Sequence, residues 1–236
     1  RVTSRQPWLY SASVDAIFLL SPPFLVTALV LAMPNLFADA HAGPWAWLLL
    51  VVGVDVAHVY STLWRTYFSP ETSARFRTQL IAIPVACWIG GVLLYTAGSM
   101  TFWRVLAYVA VFHFVRQQYG FLRLYSRKDH LPAWKRHLDG VAIYAATAYP
   151  LIYWHTHTRD FHWFVAGDFF TLGWPAFERA AFWIYAALMA AYVASEIQLR
   201  HWNLPKNLIL AGTALSWYTG IVLYDGDLAF TITNVI

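Results

Sequence analysis

Cysteine and charge are what this chain lacks. A single cysteine, Cys87, stands among 236 residues, inside the apolar run IAIPVACWIGG. One thiol supports no intrachain disulfide framework and excludes a cysteine-based zinc or iron–sulfur centre built by this chain. Charged residues make up 12% of the sequence, against about 25% in ordinary soluble domains. A soluble protein of this length could not clothe its surface with so few charges. Internal repeats and low-complexity tracts are missing too, and no cleavable signal peptide is expected.

What is present is hydrocarbon and aromatic surface. Hydrophobic residues reach 59%, with 13 Trp, 14 Tyr and 16 Phe. The pattern is one of long apolar runs separated by short polar connectors, which predicts an all-α, polytopic integral membrane bundle in one domain spanning residues 1–236. Helices are expected at 14–33, 44–64, 79–98, 101–125, 138–156, 177–199 and 205–224, with an eighth beginning near 228 and cut short at Ile236. Pro44, Pro175 and Pro205 fall at first-turn positions, where proline costs no hydrogen bond. Pro22, Pro23, Pro84 and Pro150 lie inside runs and should kink them.

The net charge of +4 does not imply nucleic acid, because the basic residues sit between apolar runs, where topology explains them. With the N-terminus cytoplasmic, one side collects Arg1, Arg5, Arg65, Arg75, Arg77, Arg123, Arg127, Lys128, Lys135, Arg136, Arg200 and Lys206. The other side receives Arg104, Arg159 and Arg179. This asymmetry predicts eight spans with both ends inside, in a membrane such as the bacterial inner membrane. Trp residues at helix ends, Trp45 and Trp64 among them, fit an aromatic belt.

Two of the runs contain ionisable residues that hydrocarbon does not tolerate. WAWLLLVVGVDVAHVYSTLW carries Asp55 and His58, and FWRVLAYVAVFHFVRQQYGFLRLY carries His113 and Arg116. Asp55 and His113 fall near the midplane at about 1.5 Å of rise per residue, with His58 and Arg116 about one turn nearer the cytoplasm. Residues three apart share a helix face, so Asp55 and His58 form one polar stripe and His113, Arg116 and Gln117 another. An ionisable group at that depth costs a few kcal/mol at least and normally faces the bundle interior.

Imidazoles and a carboxylate in a dry helical interior suit iron, zinc or copper, and bundles build such sites from i, i+3 pairs on facing helices. The candidate metal ligands are His58, His113 and Asp55; Asp55 and Arg116 are the candidate catalytic groups. The competing structural reading is an ion-pair and hydrogen-bond cluster, Asp55 with Arg116, that fixes helix register.

Weaker candidates surround these four. Glu196 is expected to pair with Arg200 four residues on. Asn234, Ser216, Trp217 and Tyr218 offer a polar lining or interhelical contacts. His155, His157 and His162 with Asp160 form a cluster in the external connector, read chiefly as solvated interface and secondarily as a metal site. The aromatic connector HTRDFHWFVAGDFFTLGW is expected to lie on the bundle as an interfacial or re-entrant segment capping a lipid-facing opening.

The stretch VFHFVRQQYGF, with His113 and Arg116 in a helix of an all-helical membrane chain, resembles the bacterial Brp/Blh β-carotene dioxygenases. That resemblance implies an integral membrane enzyme whose intramembrane histidines hold a non-haem iron and cleave a carotenoid to retinal. It covers about a dozen residues of the chain. The family's second histidine, four residues after the first, is replaced here by Gln117.

Three functions are therefore compatible with the sequence. One is a metal-dependent, iron-type membrane oxidoreductase acting on a lipid, isoprenoid or other hydrophobic small molecule, with Arg116 stabilising negative charge. Another is an electron-transfer subunit holding haem between His58 and His113, with Ala57, Ala110 and Gly120 leaving space. The last is a transporter or non-catalytic subunit, working with a membrane partner or a second copy of itself, in which the Asp–His–Arg cluster is a relay or a pin.

Overall fold

The computed structural model describes residues 6–37, 43–157, 165–200, 202–224 and 226–235, all of them helix, turn or irregular backbone with no strand among them. Apolar runs become helices because an α-helix satisfies its own backbone groups, the one requirement that lipid imposes on any span. Helices α1 (Ala12–Leu20) and α2 (Pro22–Ala32) meet at 44°, the bend expected at Pro22 and Pro23. There follow α3 (Pro44–Arg65), α4 (Arg77–Ala97), α5 (Ser99–Tyr125), α6 (Ala133–Thr156), α7 (Pro175–Leu199) and α8 (Leu204–Trp217). Helix α8 continues as a wider-wound turn, Tyr218–Leu223, and α9 (Asp227–Phe230) continues likewise over Thr231–Val235.

Local chemistry sets these bounds. Ser11 accepts the Val14 N–H at 3.2 Å, and Asn203 accepts the Lys206 N–H at 3.1 Å, each satisfying a first-turn donor. Pro44, Pro175 and Pro205 occupy first-turn positions. Gly98, at φ 148°, makes the break between α4 and α5, a conformation open to glycine alone. Helices α4 and α6 run on through Pro84 and Pro150, where kinks were expected.

Among the described residues three helices, α3, α4 and α7, are long and apolar enough to cross a membrane, and α1 with α2 makes a fourth if the bent pair is one span. Helices α5 and α6 are long enough, at about 40 and 36 Å, but are less apolar along their length. Helix α6 also begins about one turn earlier than expected and so takes in Lys135 and Arg136.

The core lies between α5, α6, α7 and α8. Leu122, Tyr125, Ala142, Ile143, Tyr192, Ile209 and Leu210 pack with Leu20 of α1. A second cluster joins Trp154, Trp217, Ile221 and Phe230. No residue of α3 or α4 is buried: Trp88 is 71% and Leu93 63% exposed. Apolar faces of that size require hydrocarbon or another protein against them.

The connectors sort to two ends. At one, Gln6 donates to the Trp202 carbonyl at 2.9 Å and accepts the Leu204 N–H at 2.9 Å. Arg127 reaches the carbonyls of Pro7 and Trp8 at 3.1 and 2.8 Å, and Asn203 Nδ2 bonds the Tyr125 carbonyl at 2.9 Å. At the other, the Leu172 N–H meets the His155 carbonyl at 2.5 Å, and Arg104 Nε donates to the Gly167 carbonyl at 2.9 Å. Residues 165–174, the described part of the connector after α6, thus lie on the end of the bundle.

Candidate functional site

Asp55 and His58 sit on α3 where its winding changes. Residues Trp47–Val56 are wound wider than an α-helix, and the ordinary helix resumes at Ala57. Such wide turns are rare and concentrate at functional sites. Asp55 Oδ1 and His58 Nδ1 stand 3.4 Å apart, the carboxylate side chain 19% exposed and the imidazole 54%. His113 stands on α5, its ring edge-on to Phe114 at 5.8 Å.

Arg116 departs from the expected pair. Its guanidinium donates to the Tyr144 hydroxyl on α6 and lies 5.1 Å over the Tyr119 ring, which stacks on Tyr144 at 5.0 Å. An arginine one turn along from His113 points about 60° around the helix from it, and the aromatic pair on α6 offers a hydroxyl and a π face. The Asp55–Arg116 ion pair is not formed; Arg116 instead ties α5 to α6.

Beside His58 is a cavity of about 360 Å³, within the range of small-molecule sites. Its wall is apolar along Phe18, Leu20, Val26, Val54 and Phe121, with a polar patch from His58, Gln117, Gln118, Thr213, Ser216 and Asn234. Thr213 donates to Gln118 Oε1 at 2.9 Å, fixing α8 against α5. The wide turns converge here: Ala16–Leu20, Trp47–Val56 and Thr231–Val235 all contribute lining residues, and Tyr218–Leu223 begins next to Trp217 of the same wall. Gly220 lets α9 in so closely that an added Cβ would land on Thr233 and Asn234. The polar lining expected of Ser216, Trp217 and Asn234 is thus present.

As metal ligands the residues fit in part. Two donors on one metal at about 2.0–2.2 Å lie about 3–3.4 Å apart, so the Asp55–His58 spacing matches one edge of a coordination polyhedron. Two imidazoles and a carboxylate are also the donor set of open non-haem iron sites. Among the described residues, however, no three His, Cys, Asp or Glu side chains stand together as a closed metal group. His155 and His157 are engaged separately, the first with Tyr108 Oη at 2.8 Å and the Leu151 carbonyl at 2.6 Å, the second with the Tyr153 carbonyl at 2.9 Å. His162 and Asp160 lie outside the described residues.

The most deeply buried chemistry was not foreseen from the sequence. Lys135 and Asp139 of α6, Glu196 of α7 and Lys206 of α8 are each 4% exposed or less. Glu196 Oε1 receives Lys135 at 2.7 Å and Lys206 at 2.8 Å; Asp139 receives Lys206 at 3.2 Å and bonds Lys135. Lys135 also stands 4.1 Å over the Tyr192 ring. Glu196 therefore pairs with lysines of two other helices rather than with Arg200. The i, i+4 spacing of Lys135 and Asp139 was the available signal.

Comparison with protein-family models, with curated proteins and with solved structures returned no match in any of the three.

Proposed function

We propose that this chain is a polytopic integral membrane protein of about eight spans, N-terminus cytoplasmic, that works as a metal-dependent oxidoreductase on a hydrophobic lipid or isoprenoid molecule. The observation that carries this reading is the Asp55–His58 pair beside a cavity with a polar patch in an apolar wall. His58, His113 and Asp55 would hold the metal, and iron there would supply oxygen-activating chemistry. The chain's own contribution is positional. Phe18, Leu20, Val26 and Phe121 take hydrocarbon, while Gln117, Ser216 and Asn234 turn a polar group toward His58. Arg116, held by Tyr144, ties α5 to α6.

The experiment is metal content by mass spectrometry on the purified full chain, wild type beside His58→Ala and His113→Ala. About one iron or zinc per chain, lost in both variants, supports the enzyme. A strong Soret band would transfer the histidines to haem. One specific observation favours a second reading, a non-catalytic subunit: no closed group of three metal-capable side chains occurs among the described residues. Folded protein free of metal in all three samples selects that reading.

A further inference from the structure

At the end of α5 opposite the lysine–carboxylate cluster is a second concavity, about 440 Å³ and open to one side. Its floor is one face of α5, formed by Val105, Val109 and Phe112, which are 38%, 58% and 64% exposed. Its wall is Phe170 of the connector, held there because the Phe170 N–H donates to the Tyr108 hydroxyl at 3.2 Å, itself bonded to His155 at 2.8 Å. Its polar groups are Thr101 and Arg104 at one end, together with the Tyr108 hydroxyl, which is already bonded to His155 and the Phe170 N–H. Arg104 uses Nε on the Gly167 carbonyl at 2.9 Å and packs over Phe170 at 4.5 Å. No bond from its two terminal amines to any described residue is present. From Thr101 to Phe112 the floor runs about 16 Å, close to one leaflet of a hydrocarbon core of about 30 Å. It ends next to His113.

We propose that this groove binds a single-chain amphiphile with a carboxylate head, such as a long-chain fatty acid, from the outer leaflet. The carboxylate takes the terminal amines of Arg104, a planar donor fork suited to bidentate pairing. The chain lies along Val105, Val109 and Phe112 with Phe170 across it. Its volume of about 440 Å³ suits one acyl chain, which separates it from a two-chain phospholipid. The proposal needs that α5 spans a membrane with Ser99 at its outer end, and it stands or falls independently of the metal reading.

The test is photolabelling of the full chain in phosphatidylcholine nanodiscs with palmitate carrying a diazirine in its tail, adducts being mapped by mass spectrometry. Expected are adducts on the Val105–Phe112 segment, displaced by unlabelled palmitate and not by hexadecanol. Arg104→Gln should lower this labelling about 10-fold, and Val109→Trp, which fills the groove with Arg104 intact, should lower it comparably. Arg179→Gln, at the same end and outside the groove, should leave it unchanged, as should His113→Ala, which removes any metal site without touching the groove. Labelling unchanged in both Arg104→Gln and Val109→Trp, or displaced equally by hexadecanol, overturns the proposal. Displacement by phosphatidylglycerol as efficient as by palmitate overturns the single-chain carboxylate.

Discussion

Replacing Lys206 with methionine tests whether the buried cluster holds α6, α7 and α8 together. Methionine keeps most of the apolar stem and removes the ammonium, so packing changes little while the charge balance does. In the native cluster two ammonium groups face two carboxylates, with Glu196 shared between the lysines at 2.7 and 2.8 Å. Without Lys206, Asp139 and Glu196 share Lys135 alone, and a net negative charge is left where no side chain is more than 4% exposed. Removing one partner of a buried pair typically costs about 3–5 kcal/mol. For a chain of this size each kcal/mol shifts Tm by about 2–4 °C, giving a fall of about 6–20 °C. The double variant Lys206→Met with Glu196→Gln restores neutrality around the remaining Lys135–Asp139 pair and should recover most of the loss. Near-UV circular dichroism melts of wild type, both single variants and the double in one lipid-nanodisc preparation provide the cycle. A Lys206→Met protein within about 1 kcal/mol of wild type, or a double variant whose loss equals the sum of the singles, refutes the reasoning.

Other outcomes follow from the same geometry. Gly220→Ala places a methyl on Thr233 and Asn234, so α9 must move; a loss of about 1–3 kcal/mol should accompany altered ligand binding in the cavity, measured by melting and by displacement of a fluorescent lipid. Tyr144→Phe removes the hydroxyl that receives Arg116 and should cost about 1 kcal/mol, with metal content unchanged; metal lost along with it would mean that Arg116 takes part in holding the metal site. Asn203→Ala deletes the cap on Lys206 N and the bond to the Tyr125 carbonyl, and should cost about 1–2 kcal/mol and raise hydrogen exchange in the first turn of α8. Tyr108→Phe frees Phe170 and His155 from each other; protease cleavage in the connector should rise while the far end of the bundle stays protected.

Period and composition made much of this architecture legible in advance. The helices lie close to the expected runs because long apolar stretches have one way to satisfy their backbone, and the break at Pro22 and Pro23 follows from a missing donor and a ring clash. Pro84 and Pro150 left their helices unbroken, because one missing donor within a long run does not end it.

The pairing of Asp55 with His58 was also readable, since a spacing of three puts both on one helix face. Which partner each face finds was not. Arg116 prefers Tyr144 and Tyr119 to Asp55, and that choice depends on how α6 is rotated against α5. Glu196 takes Lys135 and Lys206 from 61 residues before and 10 residues after it, where the sequence suggested a neighbour four residues on. Both lysines looked like surface charge marking the inner side of a membrane. Tertiary packing buried them because Glu196 offered both lysines a partner that no local pattern records. What the sequence determined by itself was chemistry at fixed positions along each helix. Only the packing of one helix against the next decided which of those charges would meet.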